Sequence, residues 1–294
     1  MPQEPLVDRR FLEKLERLTL HWQRSFAGLV GGHNPSRFSG PGQEFLDHRH
    51  FHDGDDLRAV NWRAYLRLEK LFLKMFQVEP RIPVRLLVDT SQSMTTGAAP
   101  KFEYAKRLAA ALCYVGLVRL ETIAIQPFNA RLADSFVCSG GRHRFAPAVD
   151  FLSGLTPAGS TDFFRVVREF IGRYLQRGLL IVISDFLDER DCEKPLQYLA
   201  DYGHELLLIH LWADEDRVPP WLGELELTDA ETGSHLHLQF DSAARDEYTG
   251  EFDVYAQKLR SLALRNSGRY VGISTSLSLE EAIFGPMAHA RGIA

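Results

Sequence analysis

The run Leu179-Leu180-Ile181-Val182-Ile183 constrains the fold of this chain more than any other stretch. All five residues are apolar and three are β-branched, with no polar position to turn toward water. A strand reads this way when both of its faces are covered, as in a parallel sheet flanked by helices. Residues 84–88 and 206–212 share this character apart from Arg85 and His210, and residues 122–128 read as a further strand. Between the strands, residues 102–120, 161–175 and 194–202 read as helices. A helix at 252–264 leads into a short strand at 270–274. In the helix at 102–120, Ala105, Leu108, Ala109, Leu112 and Val115 fall on one side. Strands alternating with helices predict an α/β fold built on a doubly wound, mostly parallel sheet of Rossmann type.

Two stretches break the alternation. Residues 130–138 read as a short edge pair. In residues 225–240, Glu231-Thr232-Gly233 lies between Leu225/Leu227 and Leu236/Leu238, which predicts a β-hairpin inserted on the sheet edge. Upstream, Phe11, Leu12, Leu15, Leu18, Trp22 and Phe26 recur at helical spacing behind Asp8, a suitable N-cap. The chain turns irregular from 28 to 42. Asp53-Gly54-Asp55-Asp56 marks a turn able to cap a short helix toward Trp62, and residues 71–76 read as a strand. The expected division is an N-terminal α+β extension over 1–80 and an α/β domain over 81–294, with the hairpin near 225–240. So short a first segment buries little surface by itself.

Net charge of −5 argues against broad binding to a phosphate backbone. Cys113, Cys138 and Cys192 have no paired or metal-like spacing and fit reduced thiols. No apolar run approaches the ~20 residues that span a bilayer. Met1-Pro2-Gln3-Glu4-Pro5 lacks the basic-then-apolar order of a signal peptide. These features predict a soluble, cytoplasmic protein.

In an open α/β sheet, ligands bind beyond the carboxyl ends of the strands, where the strand order reverses. With a three-two-one-four order, the first strand ends at Asp89 and the fourth at Ser184-Asp185, so the two carboxylates meet at the reversal. Asp89-Thr90-Ser91-Gln92-Ser93 sets a carboxylate and two hydroxyls at alternate positions. Gly159-Ser160-Thr161 opens the helix leading into the fourth strand. Hard oxygen ligands of low total charge suit a six-coordinate Mg²⁺ that keeps some waters, with Mn²⁺ or Ca²⁺ as alternatives. Asp185 and Thr161 also fit as helix N-caps. The three loops together resemble the metal-ion-dependent adhesion site of von Willebrand A-like domains. That resemblance implies direct metal contact from Ser91, Ser93 and Thr161. It implies support from Asp89 and Asp185 through waters or from behind, and a partner's Asp or Glu completing the shell. Phe186 departs from the pattern, standing where a glycine often follows the aspartate.

A second block begins at Gly42-Gln43-Glu44-Phe45. It continues through Asp47-His48-Arg49-His50-Phe51-His52 and Asp53-Gly54-Asp55-Asp56-Leu57-Arg58-Ala59-Val60-Asn61-Trp62-Arg63. This block resembles the hallmark of a bacterial family, domain of unknown function 58, whose members join it to a von Willebrand A-like domain. Asp55 and Asp56 are placed to pair with Arg58, Arg63 or Arg49 above a buried Trp62. Such pairing reads as a structural clamp or as a partner-docking surface. His48, His50 and His52 alternate and could share a strand face suited to a transition metal, but hydrogen-bonded histidines near a turn explain them more simply.

The site lacks a nucleophile–base pair, and the chain has no Gly-x-x-x-x-Gly-Lys-Ser/Thr loop. The leading expectation is therefore a non-enzymatic, metal-dependent protein-interaction module. The family resemblance implies an adaptor or co-chaperone acting with a MoxR-type AAA+ ATPase in protein assembly or activation. The alternative is a Mg²⁺-dependent phosphohydrolase with Asp89 as nucleophile. Ser91 stands where haloacid-dehalogenase-like phosphatases carry a second aspartate. Arg58, Arg63, Arg67, Lys70 and Lys74 form a locally basic stretch, which overall acidity makes a poor nucleic-acid surface.

Overall fold

A computed structural model describes residues 6–18, 20, 44–52, 57, 60–77, 83–188 and 190–290. The chain separates into two units, one of residues 1–25 and 82–294, the other of residues 26–81. The first element, α1 (Arg9–Leu15), is capped by Asp8, whose carboxylate accepts the Phe11 N–H at 2.9 Å. Residues 21–43 lie outside the described set, so the expected continuation of the helical pattern through Trp22 and Phe26 does too.

The smaller unit holds β1 (Glu44–His50), α2 (Trp62–Leu68) and β2 (Phe72–Gln77), with β1 and β2 paired antiparallel. Asn61 caps α2 by accepting the Ala64 N–H at 3.3 Å. The Asp53–Asp56 turn, expected to cap this helix, lies outside the described residues.

The larger unit continues with β3 (Val84–Asp89), α3 (Lys101–Val118), β4 (Ile123–Phe128), β5 (Phe136–Cys138) and α4 (Phe145–Ser153). Next come α5 (Phe163–Arg173), β6 (Leu179–Ser184), α6 (Glu193–Asp201) and β7 (Glu205–Trp212). The chain then forms α7 (Asp214–Arg217), β8 (Gly223–Thr228), β9 (His235–Phe240), α8 (Ser242–Arg265), β10 (Arg269–Ser274) and α9 (Leu279–Ala282). Six strands make one sheet in the order β10-β7-β6-β3-β4-β5, parallel except for the edge strand β5. β3 therefore sits between β4 and β6, and the order reverses between β3 and β6, as the sequence implies.

Alternation along each buried strand feeds two cores, one on each sheet face. Leu179, Ile181 and Ile183 of β6 join the core containing α1 and α3, while Leu180 and Val182 join that of α5, α6 and α8. The expected grouping of the first helix with residues up to 80 differs from this arrangement. Phe11 and Leu15 are buried in the same core as Leu108 and Leu112 of α3, so apolar burial ties α1 to the α/β unit. Tyr114 of α3 adds a hydrogen bond from its hydroxyl to Glu16 at 2.9 Å.

Two further differences concern the C-terminal half. The last long helix begins at Ser242 rather than 252, because Asp241 accepts the Ala244 N–H at 2.8 Å and starts it earlier. The hairpin β8–β9 forms a two-stranded sheet of its own and does not extend the edge of the large one. Glu224 and Glu226 alternate with Leu225 and Leu227, leaving the ribbon largely exposed and poorly suited to a covered edge. Among the described residues, no helix is long and apolar enough to cross a membrane.

Candidate functional site

Three loops meet at the carboxyl ends of β3, β4 and β6. The first loop, residues 89–96, is tied to the loop before α5 by two backbone hydrogen bonds. Gln92 N–H donates to the Gly159 carbonyl and Ala158 N–H to the Thr90 carbonyl, both at 2.8 Å. Gly159 holds φ +73°, a left-handed turn that a Cβ would strain. Within the first loop, Asp89 Oδ1 accepts the Ser91 N–H at 2.9 Å, folding the backbone so that Ser91 Oγ and Ser93 Oγ stand 3.0 Å apart. The third loop is joined to the first by Ser184, whose hydroxyl donates to Asp89 Oδ2 at 2.5 Å and accepts the Phe186 N–H at 2.8 Å.

Neither Asp185 nor Thr161 is a helix cap. Asp185 Oδ1 accepts the Leu187 N–H at 3.2 Å within its own turn, and the next helix begins only at Glu193. Asp162 caps α5, accepting the Arg165 N–H at 2.9 Å, which frees the Thr161 side chain for the crevice. Asp89, Ser91, Ser93, Thr161 and Asp185 are all buried. Burial, and next the charge of Asp185, push the Asp89 carboxyl up to about 7, although hydrogen bonds from Ser184 and Ser91 favour its anion.

Three residues complete this picture that the sequence reading did not assign to the site. Lys101, the first residue of α3, is fully buried, with its ammonium 2.9 Å from Asp185 Oδ2 and 3.0 Å from Asp216 Oδ2. Burial opposes its charge, but the two carboxylates outweigh that and raise its pKa. A cation in the first turn of an 18-residue helix opposes the helix dipole, and that mismatch was the signal available in the sequence. Glu231, at the tip of the β8–β9 hairpin, reaches the second loop. Its Oε2 accepts the Thr161 N–H at 3.3 Å, and its Oε1 lies 3.5 Å from Thr161 Oγ1. Nothing in the local sequence marks Glu231, which acts across 70 residues. Tyr255 of α8 donates its hydroxyl to the Phe186 carbonyl at 2.6 Å and fixes the third loop from outside.

Phe186 shows how a side chain replaces the glycine that often stands there. Its backbone adopts φ +54°, in the left-handed region, and its ring is fully buried. The ring stacks on Phe163 at 5.7 Å and 9° and meets His210 edge-on at 5.8 Å. The packing holds a conformation that costs an ordinary residue roughly 1–2 kcal/mol.

The donor set fits a small divalent cation. Among the described residues, no three His, Cys, Asp or Glu side chains gather to hold a metal by themselves. The candidates for direct contact are the hydroxyls of Ser91, Ser93 and Thr161, with Asp89 and Asp185 behind them. The Ser91 and Ser93 hydroxyls are hydrogen-bonded to each other at 3.0 Å, close enough to serve as neighbouring ligands of one small ion, whose octahedral edges are about 3.0 Å. Asp89, Asp185 and Glu231 face the site, and Lys101 pairs with Asp185 from one side, leaving an excess of negative charge that a divalent ion would neutralise.

The upstream block has a different character. Asp55, Asp56 and Arg58 lie outside the described residues. Trp62 is 54% exposed, not buried beneath a clamp, and packs edge-on against Tyr65 at 6.2 Å. Arg63 is also exposed. A short helix paired with a two-stranded ribbon offers too little apolar surface to cover an indole. His50 packs on Phe72 with ring centroids 4.6 Å apart, and His52 Nδ1 lies 3.0 Å from the His50 carbonyl, so these histidines have local partners.

The chain is 26% identical over 246 residues to the uncharacterized protein Rv1480 of Mycobacterium tuberculosis, a match covering 82% of this chain and 77% of that one. Among solved structures it is similar to the conserved hypothetical protein BatB from Bacteroides thetaiotaomicron, with TM-score 0.43 and 17% identity over 71% of this chain and 98% of that one. It is also similar to the von Willebrand factor type A from Catenulispora acidiphila, with TM-score 0.43 and 11% identity over 75% of this chain and 43% of that one. The family described as protein of unknown function DUF58 matches residues 47–257, a span that contains α2, all three loops of the site and the β8–β9 hairpin. The chain belongs to the DUF58 family.

Proposed function

We propose that this chain is a non-enzymatic interaction module that binds a divalent cation, with Mg²⁺ the best fit, and uses it to hold an acidic side chain of a protein partner. One observation carries the reading: Ser91, Ser93 and Thr161 converge from two loops in front of the buried Asp89 and Asp185, in surroundings with excess negative charge. The bound ion would supply an electrophilic centre with open positions for carboxylate oxygen. Asp89 supports this role better than that of an attacking nucleophile. It is fully buried, and its two oxygens are held by the Ser91 N–H and the Ser184 hydroxyl. A MoxR-type AAA+ ATPase is the partner that the family resemblance implies.

The test is a calorimetric titration of Mg²⁺ into the chelator-treated full chain, with Asp89→Ala and Ser93→Ala as controls, followed by capture of a purified MoxR-type ATPase with and without Mg²⁺. The expected result is saturable binding lost in both variants, and ATPase capture that needs the metal. Wild-type protein that takes up no ion, or capture indifferent to both metal and variants, would overturn the reading.

A further inference from the structure

We infer that Glu231 is the site's own acidic ligand, and that the β8–β9 hairpin is a strap which a partner's carboxylate must displace. This rests on the metal-binding reading above and adds to it a resident occupant. The Glu231 carboxylate accepts the Thr161 N–H at 3.3 Å, lies 3.5 Å from Thr161 Oγ1, and shares the wall of one cleft with Ser93. It thus contacts the Thr161 loop and borders the Ser93 loop, the place an incoming acid would take.

The hairpin is built to present this residue. Asp229 Oδ1 accepts the Glu231 N–H at 2.8 Å and the Thr232 N–H at 2.6 Å, and Gly233 closes the turn at φ +71°. The arms behind this rigid tip are lightly held. Among the described residues they pair only with each other, and Leu227 and Leu236 are 44% and 60% exposed. The tip can therefore leave Thr161 without uncovering either core. Beside it lies a cleft of about 540 Å³ whose walls include Ser93, Leu187, Arg190, Cys192, Tyr255 and Glu231 itself. Of the described residues, the same walls carry Asp188, Asp191 and Asp229 against the one cation Arg190, which itself pairs with Asp162 at 3.7 Å, so an acidic segment reaching Ser93 beside Glu231 depends on the divalent ion for its attraction. Asp185 carries the same charge as Glu231, so a divalent ion between them turns repulsion into attraction and fastens the strap.

The experiment titrates Mn²⁺ alone into the chelator-treated full chain for wild type, Glu231→Gln and Ser93→Ala, by calorimetry and by water-proton relaxivity of the bound ion. Hydrogen exchange of the hairpin-tip amides is followed with and without the metal. Ser93→Ala should lose binding. Glu231→Gln should still bind, weaker by about tenfold or more, with higher relaxivity because water takes the carboxylate's place. The metal should slow tip exchange in wild type and leave it unchanged in Glu231→Gln. A Glu231→Gln protein that matches wild type in affinity, relaxivity and exchange overturns the strap and leaves the metal site standing. A wild type that binds no Mn²⁺ overturns both.

Discussion

Replacing Phe186 with glycine should destabilise the protein, even though glycine is the residue its backbone prefers. At φ +54° a non-glycine residue carries roughly 1–2 kcal/mol of strain that glycine would relieve. Against this stands the loss of a fully buried ring that stacks on Phe163 and meets His210 edge-on. Removing a buried phenyl ring costs about 3–5 kcal/mol. The net change is a loss of about 2–4 kcal/mol once glycine's greater freedom in the unfolded chain is added. In urea, with an m-value of about 2 kcal/mol per M, the midpoint should fall by roughly 1–2 M at unchanged m. Phe186→Ala separates the two contributions, since alanine loses the ring and keeps the strain. It should lie below Phe186→Gly by about 1 kcal/mol. A Phe186→Gly protein as stable as wild type, or an alanine variant as stable as the glycine variant, would refute the reasoning.

Lys101→Met should cost about 3–5 kcal/mol, because it leaves Asp185 buried beside Asp216 with no cation. Adding Asp216→Asn should recover part of that loss in chemical denaturation, and no recovery would argue against the triad. His210 is buried, and burial foremost, then the Lys101 charge, lowers its pKa to about 3 from 6.5. Below pH 6.5 the unfolded state takes up a proton that the folded state does not. This group's contribution is therefore intact above pH 6.5 and declines as pH falls toward 3, by about 1.4 kcal/mol per pH unit. His210→Gln should flatten the measured stability–pH slope by that amount, and equal slopes would refute it. Gly178→Ala would set a Cβ 2.1 Å from the Pro83 carbonyl oxygen. Parting β6 from the start of β3 should cost about 1–3 kcal/mol or more, read as a fall in Tm.

The sheet was legible because its strands are buried on both faces, so Val84–Val88 and Leu179–Ile183 carry no polar residue that a helix or loop would need, apart from Arg85. Arg85 escapes the rule by lying over Tyr174 at 4.7 Å and donating to the Gln176 carbonyl at 3.1 Å. The strand order followed from chain order, and with it the meeting of Asp89 and Asp185. Helix starts were less legible where a cap lay among other polar residues: Asp241 is one acid among many near the start of α8. Lys101 and Glu231 stayed hidden because each acts across the fold. Lys101 offers only a cation at a helix start as its signal, and its role emerges when Asp185 is brought beside it. Glu231 reads as an exposed turn residue until the hairpin lies over Thr161. The exposure of Trp62 was misjudged because indoles usually find cover, and the short α2 offers none.

The hydrogen bond from Ser184 to Asp89 spans 95 residues. On a ribosome adding about 5–20 residues per second, Asp89 waits roughly 5–20 s for its partner to be made. During that interval β3 can pair with β4 on one side, while its other edge and the apolar faces meant for β6 stay open. Pairing of distant parallel strands is slow for the same topological reason. The centre of this sheet is thus finished late in synthesis, and the nascent chain is most prone to aggregate in the stretch between the emergence of β4 and that of β6.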